Sequence, residues 1–124
     1  MHSVFSDGIF TTHELIDFAK QKGLKAISIT DHDNIDSIDH TKAYAESKGI
    51  DLIPGTELTA VLDSQDIHIL GYFFDHTNLP LNLALQEQSK IRHSRAKSIL
   101  KKLQAHGINI SYERVLANAK GGVL

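Results

Sequence analysis

The feature that most constrains this chain is a short apolar run that stops at a block of metal-binding side chains. Residues 26–29 read Ala-Ile-Ser-Ile. This run is too short for a helix but suits a strand that is buried on both faces, as parallel sheets require. Asp31, His32 and Asp33 follow almost directly. In α/β folds the loops after the carboxyl ends of parallel strands carry the chemistry. The stretch therefore predicts an α/β fold with His32 at its functional edge.

Length and charge limit the classes of protein to which this chain can belong. The 124 residues are 41% hydrophobic and 23% charged, which fits one globular domain with a core of ordinary size. A net charge of -2 gives no global basic field, so tight binding to duplex nucleic acid is not expected, while a local cationic face is left open. No apolar run approaches the roughly 18 residues that span a bilayer, and the start of the chain lacks a signal-peptide pattern. We therefore expect a cytoplasmic location and no membrane partner.

Residue usage points toward metal or acid–base chemistry. The chain has no Cys, so thiolate metal sites and disulfides are excluded, and any metal must bind nitrogen and oxygen ligands. It has eight His against one Met and no Trp. Imidazole is both a common metal ligand and the usual proton-transfer group near neutral pH. A metal site is therefore the first hypothesis to examine.

The predicted elements alternate in the first half of the chain and become helical in the second. Thr11 and Glu14 have the capping-box spacing, and Gly23 suits a left-handed stop after the first helix. The expected helices cover residues 11–22, 37–48, 81–106 and 111–118, and the expected strands cover residues 26–30, 50–53, 56–62 and 67–74. The last two strands are separated by a polar turn and are expected to form a hairpin. This order predicts an α/β layer with right-handed crossovers, followed by a helical element.

Five potential metal ligands fall at or near predicted strand ends or on a predicted strand: His2, Asp7, His32, Glu57 and His68. Each has an ordinary explanation when it is taken alone. A histidine between two isoleucines, such as His68, is more often a hydrogen-bonded core residue, and Asp7 before Gly8 is a good turn residue. Glu57 is harder to explain, since a carboxylate at the start of a buried strand is costly unless it is paired or metal-bound.

Taken together, the three imidazoles and two carboxylates can converge on one edge of the sheet. This mixture of ligands suits Zn²⁺, Mn²⁺ or Fe²⁺. Asp31 and Asp33 have a second interpretation as caps of the segment that follows them. The other five histidines lie among polar residues or at a helix end, where we expect them to be solvated or to act as caps: His13, His40, His76, His93 and His106.

Four motifs follow one another along the chain: His2-Ser3-x-x-Ser6-Asp7-Gly8, Ile29-Thr30-Asp31-His32-Asp33, Ile53-Pro54-Gly55-Thr56-Glu57 and Ile67-His68-Ile69-Leu70-Gly71-Tyr72. In their order and spacing they resemble the successive motifs of the PHP (polymerase and histidinol phosphatase) superfamily. The resemblance is greatest to the metal-dependent phosphoesterases of that superfamily that act on nucleotides and short RNA. It covers essentially the whole chain, and the four motifs together are far more specific than any one of them.

The resemblance implies a fold, a ligand set and a division of the chain. The fold would be a distorted (β/α)7 barrel with up to three divalent metal ions, Mn²⁺, Zn²⁺ or Fe²⁺, at the carboxyl ends of its strands. Residues 1–80 would form the N-terminal part of the barrel, and residues 81–120 would form a helical insertion. The positions that match metal ligands of the superfamily are His2, Asp7, His32, Glu57 and His68.

Further residues receive supporting roles. Asp31 and Asp33 are candidates for orienting the imidazole ligands. Arg92 and Arg95, on the long predicted helix, are candidate contacts for a substrate phosphate, and the competing interpretation is a solvated helical face.

Two departures from the superfamily pattern predict that the chain is a fragment, or is truncated at both ends. The first His of the opening pair would precede Met1, together with its strand. Past Gly121 and Gly122 the superfamily continues with a Pro-His motif, further barrel strands and a final Asp-x-His. A closed β/α barrel generally needs about 200 residues or more. On this interpretation the chain holds about half of the ligands that the superfamily uses.

Three hypotheses for function follow. The leading one is hydrolysis of phosphate esters of nucleotides or short RNA through a metal-activated water, with no side-chain nucleophile. The second is a catalytically incomplete fragment that only binds metal or a partner, and for the 124-residue chain itself it competes equally with turnover. The third is a polymerase-associated proofreading domain, which the helical insertion disfavours. An extended reading frame would distinguish the first two hypotheses, since upstream and downstream ligand motifs would restore the enzyme.

Overall fold

A computed structural model describes residues 1–119 and contains helices and strands in the predicted α/β order. The elements are α1 (Thr12–Gln21), β1 (Ala26–Ile27), α2 (Asp36–Lys48), β2 (Asp51–Leu52), β3 (Gly55–Leu62), β4 (Gln65–Tyr72), α3 (Leu79–Ala105) and α4 (Tyr112–Ala119). Within this range β1 pairs with β2 in parallel, and β3 pairs with β4 in antiparallel. The mixed α/β class is thus confirmed. The glycines predicted to follow the last helix, Gly121 and Gly122, lie outside the described residues.

The first helix begins where its capping signals predict. The Thr11 side chain accepts a hydrogen bond from the Glu14 backbone, and the Glu14 carboxylate accepts one from the Thr11 backbone at 2.8 Å. The Glu14 carboxylate also accepts a bond from the Thr11 hydroxyl at 2.8 Å, and the bonds from the backbone N–H and the hydroxyl of Thr11 together lower the pKa of Glu14. Beyond the helix, Gly23 has a φ of 72°, the left-handed conformation that glycine adopts without a steric penalty.

The core of the α/β layer forms where α1 and α2 pack on the strands. Ile16 and Ala45 are fully buried on the two helices, and Ile27, Ile29 and Ile50 cover the strand side of the same cluster. The parallel ladder joins only two residue pairs, because β1 and β2 are each two residues long. The predicted strands at residues 26–30 and 50–53 are therefore present in shortened form.

Three chain segments meet at the carboxyl end of β1. The Thr30 N–H donates to the Met1 carbonyl at 2.7 Å, which places the opening loop beside the strand. On the other side, the Glu57 N–H donates to the Asp31 carbonyl at 3.1 Å, and the Asp33 N–H donates to the Glu57 carbonyl at 2.9 Å. These backbone bonds bring the predicted ligands of three segments to one edge.

The predicted hairpin is confirmed, with a tighter turn than expected. The ladder runs from Gly55 opposite Tyr72 to Leu62 opposite Gln65. The turn is only two residues long because Asp63 and Ser64 adopt φ values of 50° and 65°, the geometry of a type I′ turn.

The long helix α3 packs on the layer through its first half. It begins two residues before the predicted start, since Pro80 is tolerated in the first turn and the Asn78 side chain caps the Leu81 N–H at 3.0 Å. Leu85 is buried against Ile35 and Ile38. Farther along, Ile99 is 48% exposed. No helix within residues 1–119 is long and apolar enough to cross a membrane.

Gly55 allows β3 to lie close against the segment that follows β1. A Cβ at this position would stand 2.0 Å from Ser28 Oγ and 3.2 Å from the Ile29 carbonyl oxygen. We expect Gly55→Ala to lower the free energy of unfolding by about 1–3 kcal/mol, the usual cost of overpacking. Gly71→Ala is the matched control, because its Cβ would meet nothing nearer than 3.7 Å. Urea denaturation that gave equal stabilities for the two variants would contradict this close packing.

Candidate metal centre

The opening loop is held in place by one buried carboxylate. Asp31 is fully buried and accepts hydrogen bonds from the Ser3 N–H at 2.7 Å, the Ser3 hydroxyl at 2.8 Å and the Ser6 hydroxyl at 2.7 Å. Gly8 closes the loop, since a Cβ there would lie 2.4 Å from the His2 carbonyl oxygen. Asp31 therefore fixes the loop that carries His2 rather than contacting an imidazole itself.

Glu57 lies at the centre of the predicted ligands. Its Oε2 lies 3.2 Å from His2 Nε2, and its Oε1 lies 3.1 Å from His68 Nδ1 and 3.8 Å from His32 Nδ1. The Glu57 side chain is only 16% exposed. The structure therefore brings the three histidines, from the opening loop, the end of β1 and strand β4, to one carboxylate.

Asp7 lies on the open side of this cluster. Its Oδ1 is 3.4 Å from His2 Nδ1, and its Oδ2 is 3.8 Å from His32 Nε2. The rings of His2 and His32 stack with centroids 4.6 Å apart, and the ring of His68 meets that of His32 edge-on at 5.0 Å. All five predicted ligands are thus adjacent in space. The interpretation of His68 as a core residue is wrong, since its side chain is 46% exposed on the open face of the hairpin.

Two imidazole nitrogens in the cluster are buried without hydrogen-bond partners. They are Nδ1 of His2 and Nδ1 of His32, whose carboxylate neighbours at 3.4 and 3.8 Å do not complete hydrogen bonds. A buried polar nitrogen without a hydrogen-bond partner is costly in a folded protein. His2, His32 and Glu57 each offer one ligand atom, and these three atoms all lie within 4.8 Å of one another, as the ligands of a single cation would. The residues present therefore fit a divalent metal with nitrogen and oxygen ligands.

Beside the cluster lies a polar cavity of about 270 Å³. It is lined by Ser6, Asp7, His32, Thr59, Asp66, His68, Arg92 and Arg95. A larger cavity of about 450 Å³ lies between α2 and β2, where His76 is paired with Asp39 at 3.1 Å. Only the smaller cavity joins the imidazole cluster to cationic side chains, so it is the better candidate for an anionic substrate.

Comparison with known proteins assigns the chain to a family. The sequence of this chain matches the family model of the PHP domain over residues 1–112. The chain belongs to the PHP domain family.

Relatives of this PHP domain include two enzymes and a solved structure. A 5'-3' exoribonuclease of Haemophilus influenzae is 37% identical over 98% of the chain and 44% of its own length. A 3',5'-nucleoside bisphosphate phosphatase of Chromobacterium violaceum is 31% identical over 86% of the chain and 38% of its own length. A structure from Bifidobacterium adolescentis, described as a metal-dependent phosphoesterase, superimposes with a TM-score of 0.87 at 32% identity, covering 98% of the chain and 42% of that protein. The chain thus spans less than half the length of these relatives.

The remaining histidines of the PHP domain lie away from the cluster. His13 stacks on Tyr44, and His40 lies against Phe5. His76 pairs with Asp39, and His93 contacts the Tyr112 hydroxyl. His106 is exposed at the C-terminal end of α3. His13, His40 and His106 are exposed as predicted, whereas His76 and His93 are half-buried and paired with other side chains instead of being solvated or acting as caps.

Asp33 connects the site to α3. Its side chain is 2% exposed and accepts bonds from the Thr59 N–H at 2.8 Å and from Arg92 Nε at 2.9 Å. Arg92 Nη2 also donates to the Thr59 hydroxyl at 2.8 Å. Asp33 adopts a φ of 47°, a conformation that Asp tolerates better than most residues. Thr59 was not predicted from the sequence, and neither were the roles of Ser3 and Ser6, because each acts through hydrogen bonds to residues distant along the chain.

The Asp31 network predicts a measurable effect on metal affinity. We expect Asp31→Asn to weaken Zn²⁺ binding by about 10–100-fold. The amide nitrogen replaces one carboxylate oxygen and cannot accept the bond from the Ser3 hydroxyl, and the remaining oxygen, which still accepts from the Ser3 N–H and the Ser6 hydroxyl, carries less negative charge. Isothermal titration of Zn²⁺ measures the change. Asp51→Asn, an identical substitution at an exposed residue of β2, is the control. Equal Zn²⁺ affinities for the two variants would show that the loop needs no such support.

Proposed function

We propose that this PHP domain serves the metal-dependent hydrolysis of phosphate esters of nucleotides or short RNA. The observation that carries the proposal is the convergence of three imidazoles on Glu57, with two buried imidazole nitrogens left without hydrogen-bond partners. A bound Zn²⁺, Mn²⁺ or Fe²⁺ would supply an activated water at neutral pH and neutralise charge on the phosphoryl group. No side-chain nucleophile is needed in this scheme.

We assign the ligands by their neighbours in the cluster. His2 and Glu57 would hold one ion, Asp7 and His32 a second, and His68 with Glu57 a third, within the limit of three that the family resemblance implies. Asp31 would support these ligands by holding the opening loop through Ser3. Asp33 would support them through its hydrogen bond from Arg92 on α3. Zn²⁺ and Mn²⁺ both accept this mixture of imidazole and carboxylate.

We propose that the phosphate of the substrate enters the cavity beside the cluster. Arg95 lines this cavity and is exposed, so its guanidinium is available to an incoming anion. Arg92 lines the same cavity while it is bonded to Asp33 and Thr59, so it would add positive charge from a fixed position. A guanidinium can contact two phosphate oxygens at once, which suits such a role.

The larger architecture is part of the proposal. Residues 1–80 would form the N-terminal part of a distorted (β/α)7 barrel, and residues 81–120 would form a helical insertion over its rim. The substrate class rests on the relatives, an exoribonuclease and a nucleoside bisphosphate phosphatase. In support, α3 carries the cationic side chains of the cavity, and α1, α2 and the strands carry the packed core.

The direct test is release of inorganic phosphate from nucleoside 3',5'-bisphosphates and of mononucleotides from short RNA, with added Mn²⁺. We expect turnover that requires Mn²⁺ and is lost in His32→Ala. His106→Ala, which removes an exposed histidine beyond α3, is the control and should retain turnover. Activity that survived both chelation and His32→Ala would contradict the proposal. Absence of activity in a chain that binds Mn²⁺ would contradict turnover by this chain and favour a metal-binding fragment.

A further inference from the structure

The net charge of -2 conceals two regions of opposite charge. Counted along the sequence, residues 1–80 contain 13 Asp and Glu against 5 Lys and Arg, and residues 81–124 contain 2 against 8. Such asymmetry between the halves of a chain is typical of proteins with a polyanionic partner. The acidic half contains the imidazole cluster, so the basic half is a separate feature of the molecule.

The basic side chains are concentrated on the outer part of α3. Six of them fall within residues 90–102, about 18 Å of helix, and they are Lys90, Arg92, Arg95, Lys97, Lys101 and Lys102. All except Arg92 are exposed. One nearby acid, Glu87, is paired with Lys90 at 3.1 Å. This part of the helix therefore presents an excess of positive charge to solvent.

The basic segment is continuous with the cavity of the metal centre. Arg92 and Arg95 line that cavity. Lys102 follows Arg95 by seven residues, which is two helical turns, so the two side chains lie on the same face about 10 Å apart along the helix. Lys101 is exposed next to Lys102. A polyanion with one end in the cavity would meet these lysines as it leaves.

The composition of this region favours a phosphate backbone over a lipid surface. Residues 81–119 contain no Phe or Trp, the aromatic side chains that, with Leu, commonly anchor interfacial helices in membranes. The one tyrosine of this region, Tyr112, lies under the Lys97 ammonium at 4.9 Å from the ring centroid. It is therefore not an open stacking platform for a base. Contacts to such a partner would be ionic and independent of sequence.

We propose that Arg95, Lys101 and Lys102 form a track for the backbone of a single-stranded nucleic acid whose terminal phosphate ester occupies the cavity. The inference rests on the proposed function for the identity of the occupant of the cavity. It adds a binding surface outside the metal centre that distinguishes an oligonucleotide from a mononucleotide. The track binds phosphates in succession, so its affinity falls steeply with salt.

The test is fluorescence anisotropy with a labelled oligoadenylate of about 12 nucleotides in the presence of chelator, so that binding is measured without hydrolysis. We expect Lys101→Gln/Lys102→Gln to weaken binding about tenfold or more and to reduce the slope of log K against log salt by about 1.4, or about 0.7 for each lysine that no longer neutralises a phosphate. The control is Lys20→Gln/Lys22→Gln, an equal charge change at exposed positions in and just after α1.

Several outcomes would overturn the track. These are no measurable binding by the unaltered chain, equal affinities for the two double variants, or equal competition by duplex DNA, phosphatidylserine vesicles or polyglutamate. Release of phosphate from a nucleoside bisphosphate separates this inference from the proposed function. We expect Lys101→Gln/Lys102→Gln to retain that activity in full. Suppose that neither the unaltered chain nor the double variants released phosphate, while Lys101→Gln/Lys102→Gln still bound the oligonucleotide more weakly than Lys20→Gln/Lys22→Gln. The proposed function would then fail and the binding surface would stand.

Discussion

Glu57→Gln is expected to weaken binding of Zn²⁺ or Mn²⁺ by about 100-fold or more, beyond the 10–100-fold typical of groups that only support a ligand. The reason is geometric, because among the carboxylates of residues 1–119 only Glu57 lies within 4 Å of a nitrogen of each of the three clustered imidazoles. The substitution keeps the size of the side chain and removes its negative charge. A cation among His2, His32 and His68 would lose the central anionic ligand that offsets its charge.

Isothermal titration of Zn²⁺ and of Mn²⁺ measures this effect, with circular dichroism to establish that the variant is folded. Glu46→Gln, the same substitution at an exposed residue of α2, provides the control and should bind both metals as the unaltered chain does. Metal affinity that was unchanged in Glu57→Gln would mean that the carboxylate at the centre of the cluster is not a ligand.

Arg92→Leu is expected to lower the free energy of unfolding by about 2–3 kcal/mol. The variant would leave the Asp33 carboxylate, 2% exposed, without its cationic partner, and stranded buried charges cost about 3–5 kcal/mol. The lower figure applies here because Arg92 itself is 24% exposed and water can reach the pair. Lys90→Leu, two residues earlier on the exposed face of α3, is the control and should change stability by less than about 0.5 kcal/mol.

A double-mutant cycle assigns the loss to the Asp33 pair. Asp33→Asn retains a residue that accepts the φ of 47° and removes the charge, so the double variant Asp33→Asn/Arg92→Leu should be more stable than the sum of the single effects predicts. Urea denaturation supplies the four free energies. Strict additivity would show that Arg92 acts through its packing and not through the carboxylate.

The ends of the helices could be predicted because their signals are local. Thr11 with Glu14 caps α1, and Gly49 and Gly107 adopt φ values of 67° and 82° after α2 and α3. The hairpin was predictable for the same reason, although its two-residue turn was not. Its length depends on Asp63 and Ser64 accepting a positive φ, which polar turn residues do with little cost.

Features that depend on distant contacts were not predictable in detail. The β1 and β2 ladder is shorter than the apolar runs suggested, since hydrogen-bond pairing is set by the position of the partner strand. His68 is exposed because residues 65–70 of β4 are all exposed, its neighbours Ile67 and Ile69 included, and an apolar run in the sequence indicates the opposite. The hydrogen bonds from Ser6 to Asp31 and from Arg92 to Asp33 connect residues that are 25 and 59 positions apart in the sequence.

The candidate ligands themselves could be identified from the sequence because four short motifs carried them in a specific order. Their convergence on Glu57 needed the structure, since backbone bonds from Thr30 to Met1 and from Glu57 to Asp31 set the distances. Sequence spacing predicts that strand ends share an edge. It does not give the rotation of each imidazole.

The most direct test of the metal centre is the metal content of the folded chain. The unaltered protein and His32→Ala are dialysed to equilibrium against Zn²⁺ or Mn²⁺, and the retained metal is measured by mass spectrometry. The cluster predicts about one ion or more per unaltered chain, and much less in His32→Ala, because binding energy depends on a complete ligand set. Equal, negligible retention by both proteins, with both folded, would contradict a metal centre built from these residues.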